Sequence, residues 1–474
     1  MPRRPAPVTG PERDRRTAVK AWWHREHPLA HAPRDHPGAG PAAPVDRTEQ
    51  SAMLDVTLIR QHPDQVRAGL RKRGVDADIP AFLVLDTEFR AARGAVERLR
   101  GERRRISAEI AARRRTEAPA DGLRAEAGEL VGRLTEAEAG LAALAARRQE
   151  FLDALPNLPD EDVPAGGKEN NEVVRVVGDP PAFGFPARDH VRLAEDLGLI
   201  DYRRGTALAG NGHWIYRGEG AALEWALLNH FLDAHRRAGY EFVLPPHLLT
   251  YEAGYTAGQF PKFADEVYRV DDRFLLPTAE TALVNLHRGE TLDERELPRR
   301  YVAYTPCYRR ESGSHRTAER GTLRGHQFNK VELFQFARPQ DSHDAHVELL
   351  ARARELVAGL GLHHRVTRLA AGDTSPAQAR TCDVEVWLPS LGAYAEVSSV
   401  SNAREYQARR GGIRYRPAGG GKAAYVHTLN ASGLATSRLV PAILEQHQRE
   451  DGTVTVPEVL RRWGLPEVLG PARP

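Results

Sequence analysis

From Leu85 onward, apolar side chains recur alternately four and three residues apart, at Leu85, Phe89, Ala92, Val96, Leu99, Ile106 and Ile110, with Arg103 filling one slot. That spacing is the seam of a coiled coil. The series stops at Ala118-Pro119-Ala120-Asp121-Gly122 and resumes at Leu123, Ala127, Leu130, Leu134, Ala137, Leu141, Leu144, Phe151 and Leu155, interrupted by Arg148. A seam on each side of a breaker predicts two helices folded back on one another over about residues 85–155. With about 30 residues per helix and 1.5 Å per residue, the arm projects roughly 45 Å. Pro156-Asn157-Leu158-Pro159 ends it, and a Gly/Glu/Asn-rich linker follows over 160–172.

Beyond the linker the period changes. Ala222–His235 reads as a helix, and 242–244, 301–304, 331–336 and 384–388 read as strands. Strands without regular crossover helices predict an α+β fold on an antiparallel sheet. Residues 1–52 are rich in Pro, Arg, Ala and His, lack an apolar period and lack a signal-peptide core. They are expected to be disordered, an over-long gene start or a dispensable tail, with the first folded stretch opening at Met53.

The 474 residues suffice for two or three packed domains, and a net charge of +3 is too small to argue for nucleic acid, so any basic footprint must be local. It is local. Arg98, Arg100, Arg103, Arg104, Arg105, Arg113, Arg114 and Arg115 crowd the first arm helix. A charge run on a coiled coil is ordinarily a solvated face, yet a long arm bearing arginines is also a lever for RNA phosphates. Cys307 and Cys382 are the only cysteines, which excludes a disulfide framework and a thiolate zinc site and fits a cytoplasmic location. No apolar run approaches the roughly 18 residues of a membrane span.

The chemistry gathers at Thr305-Pro306-Cys307-Tyr308-Arg309-Arg310-Glu311, a polar loop, and Arg324-Gly325-His326-Gln327-Phe328. This strand, charged loop and strand resemble the second signature motif of class II aminoacyl-tRNA synthetases. Gly239-Tyr240, Val243 and Pro246 resemble the first, which builds a dimer interface in that class, and Ser432 to Arg438 resemble the third. Pro156-Asn157-Leu158-Pro159, Pro277-Thr278-Ala279-Glu280, His326 to Glu332, Glu396 to Asn402 and His427 to Asn430 are similar to the seryl members in particular. The resemblance runs from Met53 to near Leu465. It implies an α+β class II catalytic domain over 161–474 and a tRNA-binding domain over 53–160 that carries the arm.

The resemblance further implies ATP-dependent activation of serine and its transfer to tRNA(Ser), with tRNA(Sec) as a further acceptor. Arg309 and Arg438 are the implied catalytic residues, on the α- and γ-phosphates. The implied ATP set is Arg309, Arg310, Glu311, Gly325, Phe328, Glu396, Val397, Ser398, Ser399 and Arg438. Phe328 stacks adenine, Glu311 accepts from its amino group and Gly325 lets backbone approach the nucleotide. Thr278, Ala279, Glu280, Arg309, Glu332 and Ser432 are implied for serine, and Glu396 and Ser399 for Mg²⁺. No zinc is expected, the partners are tRNA and a second copy of the chain, and no membrane is involved. A serine carboxylate is ionised at neutral pH, so its in-line attack on phosphorus needs positioning and charge stabilisation rather than a base.

Other motifs read as bland. Gly419-Gly420-Gly421-Lys422 lacks the Ser/Thr and context of a phosphate loop. His343, His346 and Glu348 are expected to be solvated, and Cys307 packed. The sequence departs from the seryl pattern at Ser314 to Glu319, where a Gly-Arg-Asp-Thr run is usual, and at Cys382, Val400 and Ala431, in place of tyrosine, cysteine and glycine. Those departures are compatible with a divergent paralogue tied to a secondary pathway or to inhibitor tolerance. An amino-acid ligase for a carrier protein and a catalytically dead RNA-binding relative remain open; the arm argues against the first, Arg309, Glu396 and Arg438 against the second.

Overall fold

The computed structural model describes residues 54–311 and 320–471. The expectations for 1–52 and for Ser314 to Glu319 lie outside the described residues.

Two short helices, α1 (Val56–Gln61) and α2 (Pro63–Lys72), precede the arm helices α3 (Ile79–Arg115) and α4 (Asp121–Ala154). Helix α3 begins six residues before the first predicted seam position. Asp78 caps it by accepting from the Ala81 amide at 2.9 Å, and Pro80 presets the first turn. This first turn escapes the seam pattern because Ile79 and Phe82 pack against α1, α2 and Leu152 and Leu155 at the base of the arm. At 37 residues, α3 is roughly 55 Å long. Phe89, Val96, Ile106, Leu130 and Leu134 are buried in the seam, whereas Arg103 points to solvent.

Arg148, which broke the apolar series, is buried and paired. Its Nε donates to Asp86 Oδ1 at 2.9 Å, Arg60 donates to both Asp86 oxygens at 2.7 and 2.9 Å, and the Arg148 guanidinium lies 4.9 Å above the Phe89 ring. Arg100 to Glu138 at 2.9 Å and Arg105 to Glu126 at 3.8 Å continue the antiparallel register toward the tip.

The remaining chain builds an eight-stranded sheet: β1 (Glu172–Val177), β2 (Glu241–Val243), β3 (Arg299–Tyr308), β4 (Gln327–Ala337), β5 (His364–Arg368), β6 (Arg380–Leu388), β7 (Ala393–Arg404) and β8 (His427–Ala435). The order is β1-β5-β6-β7-β8-β4-β3-β2, antiparallel except for the parallel edge pair β2 and β3. The four strands read from sequence all occur here, longer or shifted by a residue. Helices α5 (His190–Asp196), α6 (Glu219–Arg237), α7 (Ser342–Gly359) and α9 (Thr436–Gln446) meet the sheet in the main core, among Leu227, Phe231, Leu333, Leu349, Val400, Leu434, Leu439 and Ile443. A short helix, α8 (Tyr406–Gly411), lies toward the arm.

Two of the register slips in this sheet fall opposite Val331/Glu332 on β8 and opposite Val384/Glu385 on β7. Bulges of this kind re-aim side chains, and these two flank Ser432 and Glu396. At the first, a Cβ on Gly433 would come within 2.8 Å of His235 Nε2, so any larger residue there would have to displace that buried ring.

The arm base is fastened to the sheet by buried polar groups. Asn157 donates to the carbonyls of Ala377 and Ala403 at 2.9 and 2.8 Å, and Tyr406 on α8 donates to the Leu155 carbonyl at 3.1 Å. Arg73 reaches the carbonyls of Ala371 and Thr374 at 3.1 and 3.2 Å, and also that of Gln378. This accounts for the Pro156-to-Pro159 segment in physical terms: its asparagine joins two parts of the chain.

Cys382, Val400 and Ala431 form one row across β6, β7 and β8, paired Cys382 to Val400 and Val400 to Ala431, and all three are buried. A smaller residue at one position and larger ones at the other two conserve volume, as a repacked core requires. His346 is a correction to the expected solvated histidine: it is buried and its Nε2 lies 3.1 Å from the Val400 carbonyl oxygen, while Glu348 pairs with Arg352 at 2.7 Å.

Asp86 and Arg148 are both nearly inaccessible, so Asp86→Asn strands a buried guanidinium. The expected loss is about 3–5 kcal/mol in urea unfolding, with the sheet spectroscopically intact in whatever fraction stays folded. A loss under about 1 kcal/mol would show that the pair is not needed in the seam.

Candidate active site

Strands β3 and β4 form the predicted hairpin, in register from Arg299↔Phe336 to Tyr308↔Gln327. At its mouth Arg309 donates to the Pro277 carbonyl at 3.3 Å and its guanidinium sits 5.2 Å from the centre of the Phe328 ring. Glu311 has a positive φ of 49°, unusual for a residue with a side chain, and its carboxylate pairs with Arg324. Arg310 is exposed. Its backbone N–H donates to Glu266 at 2.9 Å.

Gly325 must be glycine on packing grounds within the protein itself. A Cβ there would lie 2.2 Å from the Trp214 ring and 2.8 Å from the Gly212 carbonyl oxygen, so the protein's own indole fills the space. Trp214, His213 and Tyr216 line a cavity of about 140 Å³ together with Gln327, Phe328 and Asn329. Sequence reading missed these three aromatic residues, which stand on a short segment with no apolar period.

Arg438 enters from the first turn of α9. Its Nε donates to the Leu323 carbonyl at 3.2 Å and its Nη1 to the Glu396 carbonyl at 2.8 Å, with the Glu396 carboxylate 3.4 Å away. Arg309 with Phe328 at the hairpin mouth and Arg438 with Glu396 at the entry to α9 are linked through the Leu323 carbonyl and the neighbouring Arg324–Glu311 pair, and together they make up the candidate site. Val397 and Ser398 turn away from it: Val397 packs in the core, and Ser398 Oγ donates to the Ser432 carbonyl at 2.6 Å. Beneath Glu396 and Ser399 lies Asp383, which sequence reading did not single out. Its Oδ1 has no hydrogen-bond partner among the described residues, Ser399 hydrogen-bonds the carboxyl, and burial followed by the nearby charge of Glu396 pushes that carboxyl well above the carboxylate range.

The second half of the site is a buried acid pair. Glu332 on β4 accepts from Asn430 Nδ2 at 3.1 Å and pairs with Lys330 at 2.6 Å; Lys330 also donates to Thr278 Oγ1 at 2.8 Å. Glu280 accepts from Gln407 at 2.7 Å, Gln378 at 3.2 Å and Asn430 at 3.3 Å. Burial, with the charge of Glu332 adding to it, raises Glu280 to about 7. Ala279 and Ser432 are buried alongside. Lys330, Asn430, Gln378 and Gln407 carried no assigned role in the sequence. The detectable signal was a lysine two residues before a glutamate on the same face of a strand.

An antiparallel sheet with a hairpin arginine over a phenylalanine and a second arginine in the first turn of the helix after its last strand has the arrangement of a class II aminoacyl-tRNA synthetase core. A family model for the tRNA synthetase class II core domain (G, H, P, S and T) matches residues 263–447, and one for the seryl-tRNA synthetase N-terminal domain matches 53–159. Serine–tRNA ligase 2 of Clostridium acetobutylicum is 54% identical over 419 residues, covering 87% of this chain and 99% of that protein. The serine–tRNA ligase of Nitratidesulfovibrio vulgaris (Hildenborough) is 44% identical over 415 residues, with 87% and 98% covered. Among solved structures, seryl-tRNA synthetase from Pyrococcus horikoshii complexed with ATP superposes with a TM-score of 0.82 at 35% identity, covering 89% of this chain and 100% of that one. The chain belongs to the seryl-tRNA synthetase family.

A carboxyl raised in the folded state contributes stability that is complete below its unfolded value of 4.5 and is lost as pH rises through about 7. Ionised Glu280 therefore costs the ligand-free fold a few kcal/mol above pH 8. Glu280→Gln is expected to flatten the decline in unfolding free energy between about pH 4.5 and 7; an unchanged slope would assign that decline to another group.

Proposed function

We propose that the chain activates L-serine with ATP to seryl-adenylate and transfers the seryl group to the 3′ end of tRNA(Ser). The observation that carries this reading is the Glu280, Glu332 and Lys330 cluster. Two carboxylates against one ammonium favour a second cation, and the α-ammonium of serine supplies it. Thr278, Ser432 and Asn430 offer hydrogen-bonding atoms beside the pair, and the buried polar surface disfavours amino acids lacking a hydroxyl, by about 10⁴–10⁵ in sites built this way. Threonine is excluded by lack of room for its methyl.

Arg309 forks onto the α-phosphate, where charge grows in the transition state, and holds the serine carboxylate in line. Adenine stacks on Phe328, with Glu311, oriented by Arg324, accepting from its amino group. Arg438 anchors the γ-phosphate. The family implies a magnesium ion, and the oxygen donors present fit one: Glu396 is partly exposed at the cleft, Ser399 adjoins it, and Asp383 keeps an unpartnered oxygen behind them. Glu396 and Ser399 would hold that ion, which neutralises phosphate charge when bound.

Residues 53–160 form the tRNA-binding domain and 161–474 the catalytic domain. The exposed arginines of α3 grip tRNA phosphates. The pairing partner is a second copy of the chain, seated on the face that bears Trp225, Phe242, Leu248 and Leu244, the last 71% exposed beside the open edge of β2. The enzyme works in the cytoplasm; among the described residues no helix is long and apolar enough to cross a membrane. The tRNA(Sec) acceptor comes with the family reading; service to a secondary pathway or inhibitor tolerance is suggested by the sequence departures, three of which lie together in the core row of Cys382, Val400 and Ala431.

Arg309→Ala is expected to depress serine-dependent ATP–pyrophosphate exchange by about 10²–10³ while thermal unfolding stays within a few degrees of wild type. Exchange near the wild-type rate would remove Arg309 from the reaction.

Replacing Arg98 to Gly140 by a short bridge removes the outer arm and keeps Asp86 and Arg148. Activation should persist at nearly the full rate while tRNA charging collapses, and in the intact enzyme charging should fall far more steeply with salt than activation does. Equal losses in both half-reactions would mean that the outer arm supports the catalytic fold, and unimpaired charging would end the tRNA-grip reading.

A further inference from the structure

Arg438 is held from two directions, and one buried side chain outside the cleft joins both. The first support is α9 itself, which carries Arg438 in its first turn and Glu445 in its last. The second is the segment Arg320 to Arg324, where the Leu323 carbonyl accepts from Arg438 Nε at 3.2 Å and Thr322 Oγ1 donates to the Ser437 carbonyl at 2.7 Å.

His190, the first residue of α5, bridges the two. Its Nδ1 lies 2.6 Å from Glu445 Oε1 and its Nε2 lies 3.1 Å from the Arg320 carbonyl oxygen. Its backbone N–H donates to the same Glu445 oxygen at 3.0 Å, and Ser390 fixes the carboxylate from the far side with its N–H at 2.8 Å and its hydroxyl at 2.7 Å. His190 and Glu445 side chains are 3% and 0% exposed. Gly321 presses against the ring: a Cβ there would come within 2.8 Å of His190 Nε2.

The contacts close a ring, from Arg438 to Leu323, along the chain to Arg320, through His190 to Glu445, and back along α9 to Arg438. Arg438 and Glu445 stand about two turns apart on the 11-residue α9, and the Ser437 carbonyl, which Pro441 cannot serve with an N–H, takes the Thr322 hydroxyl instead, so the position of Arg438 relative to its carbonyl anchor depends on how the far end of α9 is tied to the Arg320 segment. None of these groups touches Glu280, Glu332 or Lys330.

We infer that His190 is a positioning residue for Arg438: with Glu445 it locks α9 to the Arg320–Arg324 segment, and the guanidinium is thereby preset for the polyphosphate of ATP. The inference rests on the reading of Arg438 as a phosphate anchor. Its signature is selectivity, with ATP binding weakened and serine binding spared, and dependence on Arg438 itself.

The test is a double-mutant cycle on the full chain, with dissociation constants for Mg·ATP and, separately, for serine measured by calorimetry. His190→Ala should weaken ATP about tenfold and leave serine within about twofold. In an Arg438→Ala background the same change should cost less than about twofold, because the group it positions is gone. Glu445→Gln keeps the shape but turns one of the two accepting oxygens into a donor, so it can no longer accept from Ser390 and His190 together and should repeat the pattern, which carries the test even where His190→Ala folds poorly. Unweakened ATP binding by Arg438→Ala alone would sink the phosphate-anchor reading. Weakened binding there combined with additive losses from His190→Ala, or equal losses for ATP and serine, would overturn the positioning role and leave that reading standing.

Discussion

Burying two carboxylates side by side is the constraint around which the catalytic half is arranged. Glu280 and Glu332 lie inside the fold with one lysine between two negative groups, an arrangement that would expel one proton-free acid were each oxygen not met by a donor. The donors come from far apart in the chain: Asn430 from β8, Gln407 from α8 and Gln378 from the loop before β6. Each must itself be held still. Gln407 accepts from Thr428 at 2.7 Å, and the Gln378 carbonyl takes the guanidinium of Arg73.

Those supports also fasten the arm. Arg73 belongs to α2, and Tyr406, the neighbour of Gln407, reaches the Leu155 carbonyl at the end of α4. The base of the helical hairpin and the acid pair thus lean on the same loop and the same short helix. Burial pushes Arg73 down to about 10, as expected for a guanidinium placed among carbonyls with no carboxylate partner among the described residues. The arrangement persists because those carbonyls would otherwise be buried without donors.

The coiled coil, the principal strands and the cleft residues were legible because each rests on a repeating or ordered pattern: the seam positions of α3 and α4, the hairpin from Arg309 to Phe328, and the arginine closing the entry to α9. What escaped was polar support. Arg148 reads as a fault in an apolar series until Asp86 appears opposite it, and nothing local announces that pairing. Gln378, Gln407 and Asp383 carry no period, since their partners are set by tertiary contacts across β6, β7 and α8. Gly325 shows a different limit: glycine could be read there as a position needing closeness, but what comes close is Trp214.

The buried charge pair at the root of the arm also sets a scale of length. Apolar seams repeat every seven residues, so two such helices can slide past one another by a heptad and still bury leucine against leucine. Asp86 and Arg148 favour one alignment, because a slip parts them and leaves the buried Arg148 guanidinium without its carboxylate. A slip of seven residues on one helix displaces its far end by about 10 Å, half the width of a nucleic-acid duplex. Asp86 therefore works as the zero mark of a ruler, fixing at the root how far from the sheet every arginine along α3 stands.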